Sequence, residues 1–138
     1  MKIISKTFDF KTPGNCDIVD LTERIRKALS DTTLKNGQLT VFAPGATCAV
    51  TTTEYEPGLL EDTKELFRKL VAERPWRHDA DSPTGNAPSH LRASLVGPSL
   101  SVPFIDGNLT LGTWQSVVFI DFDNRPRSRK VIFQLIGE

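Results

Sequence analysis

From Ser99 onward the chain carries three strand-like apolar runs with no helical pattern between them, and this constrains the fold more than any other feature. The runs are Leu100 to Ile105, Leu109 to Phe122 and Lys130 to Ile136. Asp106-Gly107-Asn108 joins the first two, and an Asp-Gly pair between apolar runs is a strong hairpin signal. Strands joined this way run antiparallel, whereas parallel neighbours need a long crossover.

The N-terminal part mixes strands with helices. Residues 2–10 alternate, with Ile4, Lys6, Phe8 and Phe10 trading places with Ser5, Thr7 and Asp9, and Pro13-Gly14-Asn15 ends this strand. Asp20 followed by Glu23 resembles a capping box. Leu21, Ile25, Ala28 and Leu29 then recur at helical spacing, predicting a helix over 21–31. Asn36-Gly37 marks a turn before a strand from Gln38 to Phe42, and a second strand is expected from Ala46 to Glu54. Pro57 suits a helix start, and Leu59, Leu60, Leu66, Phe67, Leu70 and Val71 form its apolar face to about Glu73. Residues 75–88 read as a long polar loop, of a kind often functional. A short helix follows from Ser89 to Leu95, closed by Gly97-Pro98. The expected fold is therefore α+β, mainly an antiparallel sheet or sandwich with two main helices and one short helix, in a single domain over 1–138.

Seventeen basic residues balance seventeen acidic ones, which argues against nucleic acid or anionic lipid as a partner. The N-terminus lacks a signal-peptide apolar run and no stretch is long enough to span a membrane, so a cytoplasmic protein is expected. Cys16 and Cys48 lie far apart without C-x-x-C spacing, and Cys48 reads as a small buried residue.

Only two histidines exist, His78 and His90, twelve positions apart across the polar loop. Two imidazoles offer metal ligands or a proton relay, or else serve as surface or hydrogen-bonded structural groups. A zinc-like site needs a further ligand, which Glu54, Glu56, Asp79 or Asp81 would supply. Glu54 and Glu56, two apart, share a face in extended chain and either bind a cation or place negative charge at a helix start. The basic run from Asn124 to Lys130 either holds an anion through arginine forks or forms a charged turn. Gly112-Thr113-Trp114-Gln115 interrupts an apolar strand, where Trp114 offers a stacking plane or core packing and Gln115 an amide.

Three separated stretches carry a resemblance. Ser89-His90-Leu91-Arg92-Ala93-Ser94-Leu95-Val96-Gly97-Pro98-Ser99-Leu100, Gly112-Thr113-Trp114-Gln115 and Asp121-Phe122-Asp123-Asn124-Arg125-Pro126-Arg127, with Thr51 to Glu56, resemble the YjbQ-like family, described as secondary thiamine-phosphate synthase. The resemblance implies an α+β homotrimer with sites near subunit interfaces, a divalent metal (Zn or Mg) and a small phosphorylated substrate. It assigns catalytic roles to His90, Glu54 and Arg92, and substrate contacts to Asn86, Arg92, Thr113, Trp114, Gln115 and Arg127. His78 and His90 would hold the metal. Many members carry a histidine where this chain has Gly45, so a sphere of three histidines is incomplete here. The alternative is a metal- or small-ligand-binding homotrimer without turnover.

Overall fold

The computed structural model describes residues 1–138. Its elements follow in the order β1 (Lys2–Thr12), β2 (Asp17–Asp20), α1 (Thr22–Ser30), β3 (Gly37–Phe42), β4 (Cys48–Thr53), α2 (Pro57–Leu70), α3 (Arg77–Asp81), α4 (Ala87–Val96), β5 (Ser99–Ile105), β6 (Asn108–Leu109), β7 (Ser116–Asp121) and β8 (Arg127–Gly137). They form a five-stranded sheet in the order β1-β8-β3-β5-β6 and a three-stranded sheet in the order β2-β7-β4. Every strand pair is antiparallel, although only β5 and β6 are joined by a short turn.

The alternation in residues 2–10 becomes β1, which pairs with β8 from Lys2 opposite Gly137 to Thr12 opposite Arg127. The inner face of the large sheet places Leu39, Val41, Val102, Phe104, Val131, Phe133 and Leu135 against Val50, Val117 and Phe119 of the small sheet and Leu21, Ile25 and Leu29 around α1. The opposite face of the small sheet, with Ala49, Val118 and Ile120, lies under Leu60, Phe67, Ala93 and Val96 of α2 and α4. β7 is thus apolar on both faces, which explains its unbroken run Val117-Val118-Phe119-Ile120. The result is three layers, sheet on sheet on helices.

Four sequence expectations need correction. The strand expected from Leu109 to Phe122 is two strands, because β6 belongs to the large sheet and β7 to the small one. The chain must cross between layers, and Thr110–Gln115 makes that crossing outside either sheet. Second, β2 occupies residues expected only to lead into a helix. Gly14, Asn15 and Cys16 all take positive φ (75°, 54° and 64°), turning the chain so that Asp17–Asp20 adds to β7. Third, residues 75–88 hold α3 and the start of α4. With ten residues, α4 is a full helix, and α3 is the short one. Fourth, β8 begins at Arg127, so the basic run is half strand.

Capping follows the sequence more closely. Asp20 Oδ1 accepts the Thr22 N–H at 2.9 Å, although Leu21 holds the cap position of α1. Pro57 opens α2 as expected. No helix is long and apolar enough to cross a membrane.

Candidate functional site

α3 and α4 bring the two histidines together. Their ring centroids stand 4.9 Å apart with the planes inclined by 53°. Asp79 organises this corner. Its Oδ1 accepts the Ala87 N–H at 3.0 Å, an amide left open at the start of α4, and lies 3.3 Å from Nδ1 of His78. Nδ1 of His78 faces that carboxylate, so the opposite ring nitrogen is the one available to a ligand. His78 is 44 % exposed and His90 half-buried. The rings line a groove of about 670 Å³ walled by Arg74, Pro75, Trp76, Arg77 and Leu91. Trp76 is fixed by its Nε1–H, which donates to the Ala72 carbonyl at 2.9 Å, and Arg74 stacks on the indole at 3.7 Å. Two arginines and no carboxylate line the groove, so it favours an anion with a flat ring.

Two imidazoles this close can share one cation at about 2.0–2.1 Å from each nitrogen. The donor set stops there. No three histidine, cysteine, aspartate or glutamate side chains of the chain converge as a metal site. Asp79, the nearest carboxylate, is already bound to the Ala87 amide.

The remaining predicted residues lie elsewhere. Asn86 immediately precedes α4, and its Oδ1 accepts the Thr84 hydroxyl at 2.8 Å. Arg92, six residues further, clamps the end of α2. Its Nε and Nη2 donate to the carbonyls of Phe67 (3.2 Å) and Val71 (2.8 Å), and Nη2 also meets Glu73 at 3.1 Å. Glu54 is exposed just beyond β4, where Thr53 pairs with Ser116. The start of α4 is tied to the other end of β7, since Asn124 Nδ2 donates to the Thr84 carbonyl at 2.7 Å. Glu54 and the histidine groove therefore lie at opposite ends of the small sheet within one chain. Glu56 caps α2, accepting the amides of Gly58 (2.8 Å) and Leu59 (2.7 Å), and these two bonds hold its carboxyl below the ordinary range. Thr113, Trp114 and Gln115 belong to the crossing between sheets. Trp114 is 74 % exposed and lies outside the groove, while Gln115 Nε2 donates to Thr52 at 3.2 Å.

Arg127 faces inward and pairs with Asp123. Beside it Arg129 grips Asp121 with two parallel bonds of 2.8 and 2.7 Å and reaches Thr47 at 2.8 Å. The side chains of Asp121 and Asp123 are fully buried. Burial pushes the Asp123 carboxyl up, but the Asn124 amide, Arg127 and Thr47 together hold it below the usual range. Reasoning from the sequence missed this network, although Asp121 and Asp123, and Arg127 and Arg129, stand two apart, the spacing that puts strand residues on one face. Gly45 belongs here as well. Its φ is +148°, and a Cβ at this position would fall 2.8 Å from Cys48 Sγ and 3.2 Å from Arg129 Nη1. Cys48 is buried, as expected, and burial raises its thiol.

Known proteins share this arrangement of layers. Residues 6–138 match the family described as UPF0047 protein YjbQ-like. A UPF0047 protein of Archaeoglobus fulgidus is 39 % identical over 128 residues, covering 91 % of this chain and 96 % of the relative. UPF0047 protein YugU of Bacillus subtilis is 31 % identical over 134 residues, covering 96 % and 98 %. Among solved structures, a hypothetical protein from Aeropyrum pernix K1 superposes with a TM-score of 0.91 at 35 % identity, covering 98 % of this chain and 99 % of that one. A YbjQ-like protein of unknown function from Sulfolobus solfataricus P2 reaches 0.89 at 26 % identity, covering 99 % and 100 %. With the match spanning nearly the whole length, the chain belongs to the UPF0047 YjbQ-like family.

Proposed function

We propose that the histidine groove binds a small phosphorylated ring compound and that the chain is a thiamine-phosphate synthase-like transferase. The observation that carries this is the pairing of His78 and His90, 4.9 Å apart, in a groove with Arg74, Arg77 and Trp76. Such a transfer joins a pyrimidine diphosphate to a thiazole phosphate. The thiazole nitrogen attacks the pyrimidine methylene carbon, the carbon–oxygen bond to the diphosphate breaks, and pyrophosphate leaves with that electron pair. Negative charge grows on the leaving group, and the guanidinium groups of Arg74 and Arg77 would stabilise it more as the bond breaks. Trp76 offers a face on which the pyrimidine stacks. A divalent cation (Zn or Mg) held by the two imidazoles would add to that charge stabilisation. Glu54, Thr113, Trp114 and Gln115 join this site only if a neighbouring subunit of a homotrimer presents them.

The test is formation of labelled thiamine phosphate by purified protein, with His90→Ala as control. Product above background in the natural chain and none in the variant is expected. Equal background in both sinks the transferase.

A second function has its own support. The family resemblance implies a histidine where this chain has Gly45, and no third metal-binding side chain converges on the pair. We propose as the alternative a homotrimer that binds metal or a small ligand without turnover. Stoichiometric zinc in purified protein, lost in the His78→Ala/His90→Ala double variant and unaccompanied by turnover, would favour it. A metal-free protein would count against it.

A further inference from the structure

On the side of α4 away from the histidines, a recess of about 210 Å³ lies between α2, α4 and the Gly14–Asp17 turn. It shares no lining residue with the histidine groove. Three cations border it, Lys64, Arg68 and Arg92, against one carboxylate, Glu73, which Arg92 already holds. Lys64 touches Glu61 at 3.0 Å on the outer surface, and Arg68 has no ion partner. Arg92 bonds through Nε and Nη2 only, leaving its Nη1 group free. Ser89 is 3 % exposed and lines the recess, and no group of the chain bonds its hydroxyl. That hydroxyl opens onto the recess beside surplus positive charge, where it can donate to an acceptor from outside. It also stands in the first turn of α4, where the helix favours negative charge. Cys16, held at the rim by its left-handed backbone, completes the wall. Burial pushes its thiol up to about 11 despite Lys64, Arg92 and Arg68, so at neutral pH it is an S–H donor rather than a nucleophile.

We propose that this recess is a second anion site, in which Lys64, Arg68, Arg92 and the Ser89 hydroxyl take a phosphate group, either inorganic phosphate or the phosphoryl end of a small metabolite. Its volume corresponds to about seven waters at ~30 Å³ each, which suits a phosphoryl group and not a large ring system. The site stands independently of the transferase proposal, because the recess and the histidine groove share no lining residue.

Amide spectra of the natural chain titrated with inorganic phosphate, and separately with glycerol 3-phosphate, test it. Saturable shifts are expected at Asn15, Cys16, Ser89 and Asn124. Binding of both probes identifies a phosphoryl end, and binding of inorganic phosphate alone identifies the free ion. Arg68→Ala, at an exposed position that leaves the core intact, should weaken binding about tenfold, the loss of one charge-assisted hydrogen bond. Ser89→Ala should weaken it as well, whereas His78→Ala and His90→Ala should leave it unchanged. The second site is overturned if the four amides do not shift, or if the histidine variants abolish binding and Arg68→Ala does not change it. Loss of transferase activity with these shifts retained would remove the first proposal and keep this one.

Discussion

Two polar regions of this protein treat their charges in opposite ways. In the network of Asp121, Asp123, Arg127 and Arg129, each charged group meets an internal partner. Arg129 forks onto Asp121, Arg127 pairs with Asp123, and the hydroxyls of Thr12 and Thr47 fill remaining acceptor positions. Around His78 and His90, Arg77 and the outer ring nitrogen of His78 have no partner within the chain, and the corner is tied to the scaffold through Asp79, Trp76 and the Asn124–Thr84 bond. A network closed on itself can hold a fold but has nothing left to offer a ligand. A corner with unpaired donors adds little to stability and retains its binding capacity. The contrast also bears on the family motifs, because Asp121, Asp123 and Arg127 pair their charges within the chain whereas His90 lines an open groove.

The contrast breaks first at Asp121. Asp121→Asn should lower the unfolding free energy by about 3–5 kcal/mol, since it leaves Arg129 buried without its counter-charge. The measure is the urea midpoint, and a loss below about 1 kcal/mol would mean that the network is not closed as described. Acid sharpens the same side. The Asp123 carboxyl is held below the ordinary range in the folded chain, so its contribution is fully present above the unfolded value of about 3.9 and disappears as pH falls through the lower folded value. Asp123→Asn should therefore flatten the acid limb of a stability–pH profile, and an unchanged limb would contradict the assignment.

Arg92 stands between the two regimes, with some donors engaged and one group free. Arg92→Ala should cost about 1.5–3 kcal/mol through the loss of its bonds to the end of α2, seen as a lower thermal midpoint. No change would mean that α2 does not depend on this clamp. The smallest effect on stability belongs to the histidines. His78→Ala and His90→Ala should each shift it by less than about 0.5 kcal/mol, the usual result for positions outside the core, while removing the amide shifts that pyrophosphate induces at Arg77 and Leu91 of the groove. Destabilisation as large as that of Asp121→Asn would make the pair a structural element and erase the contrast.

Much of the fold is legible in the residues, and the reasons for the gaps are physical. β1, β3, β4, α1 and α2 announce themselves through alternation or helical spacing. β2 does not, because four residues carry too little pattern and its place depends on the left-handed turn at Gly14–Cys16. The break after Leu109 is hidden because β6 and β7 are both apolar, and only their membership of different sheets separates them. The histidines could be singled out by their rarity and their loop. Their meeting could not, since it depends on the reversal between α3 and α4. Arg92 and Arg127 drew attention as cations, but the carbonyls and carboxylate that engage them come from distant or alternate positions. Trp76, not Trp114, is the indole beside the histidines, and its place just inside the polar loop was the available clue.

The order β1-β8-β3 has a consequence for how the chain acquires its shape. The strand that begins the sequence finds its neighbour only in the strand that closes it, and β8 also supplies the missing partner of β3. During synthesis, β1 stays unpaired until residues 127–137 have left the ribosome. A nascent chain stalled before that point should display an unpaired edge that invites association with other chains. Completion of the large sheet is accordingly a late, long-range closure, of the kind that makes folding slow relative to helical proteins of similar size.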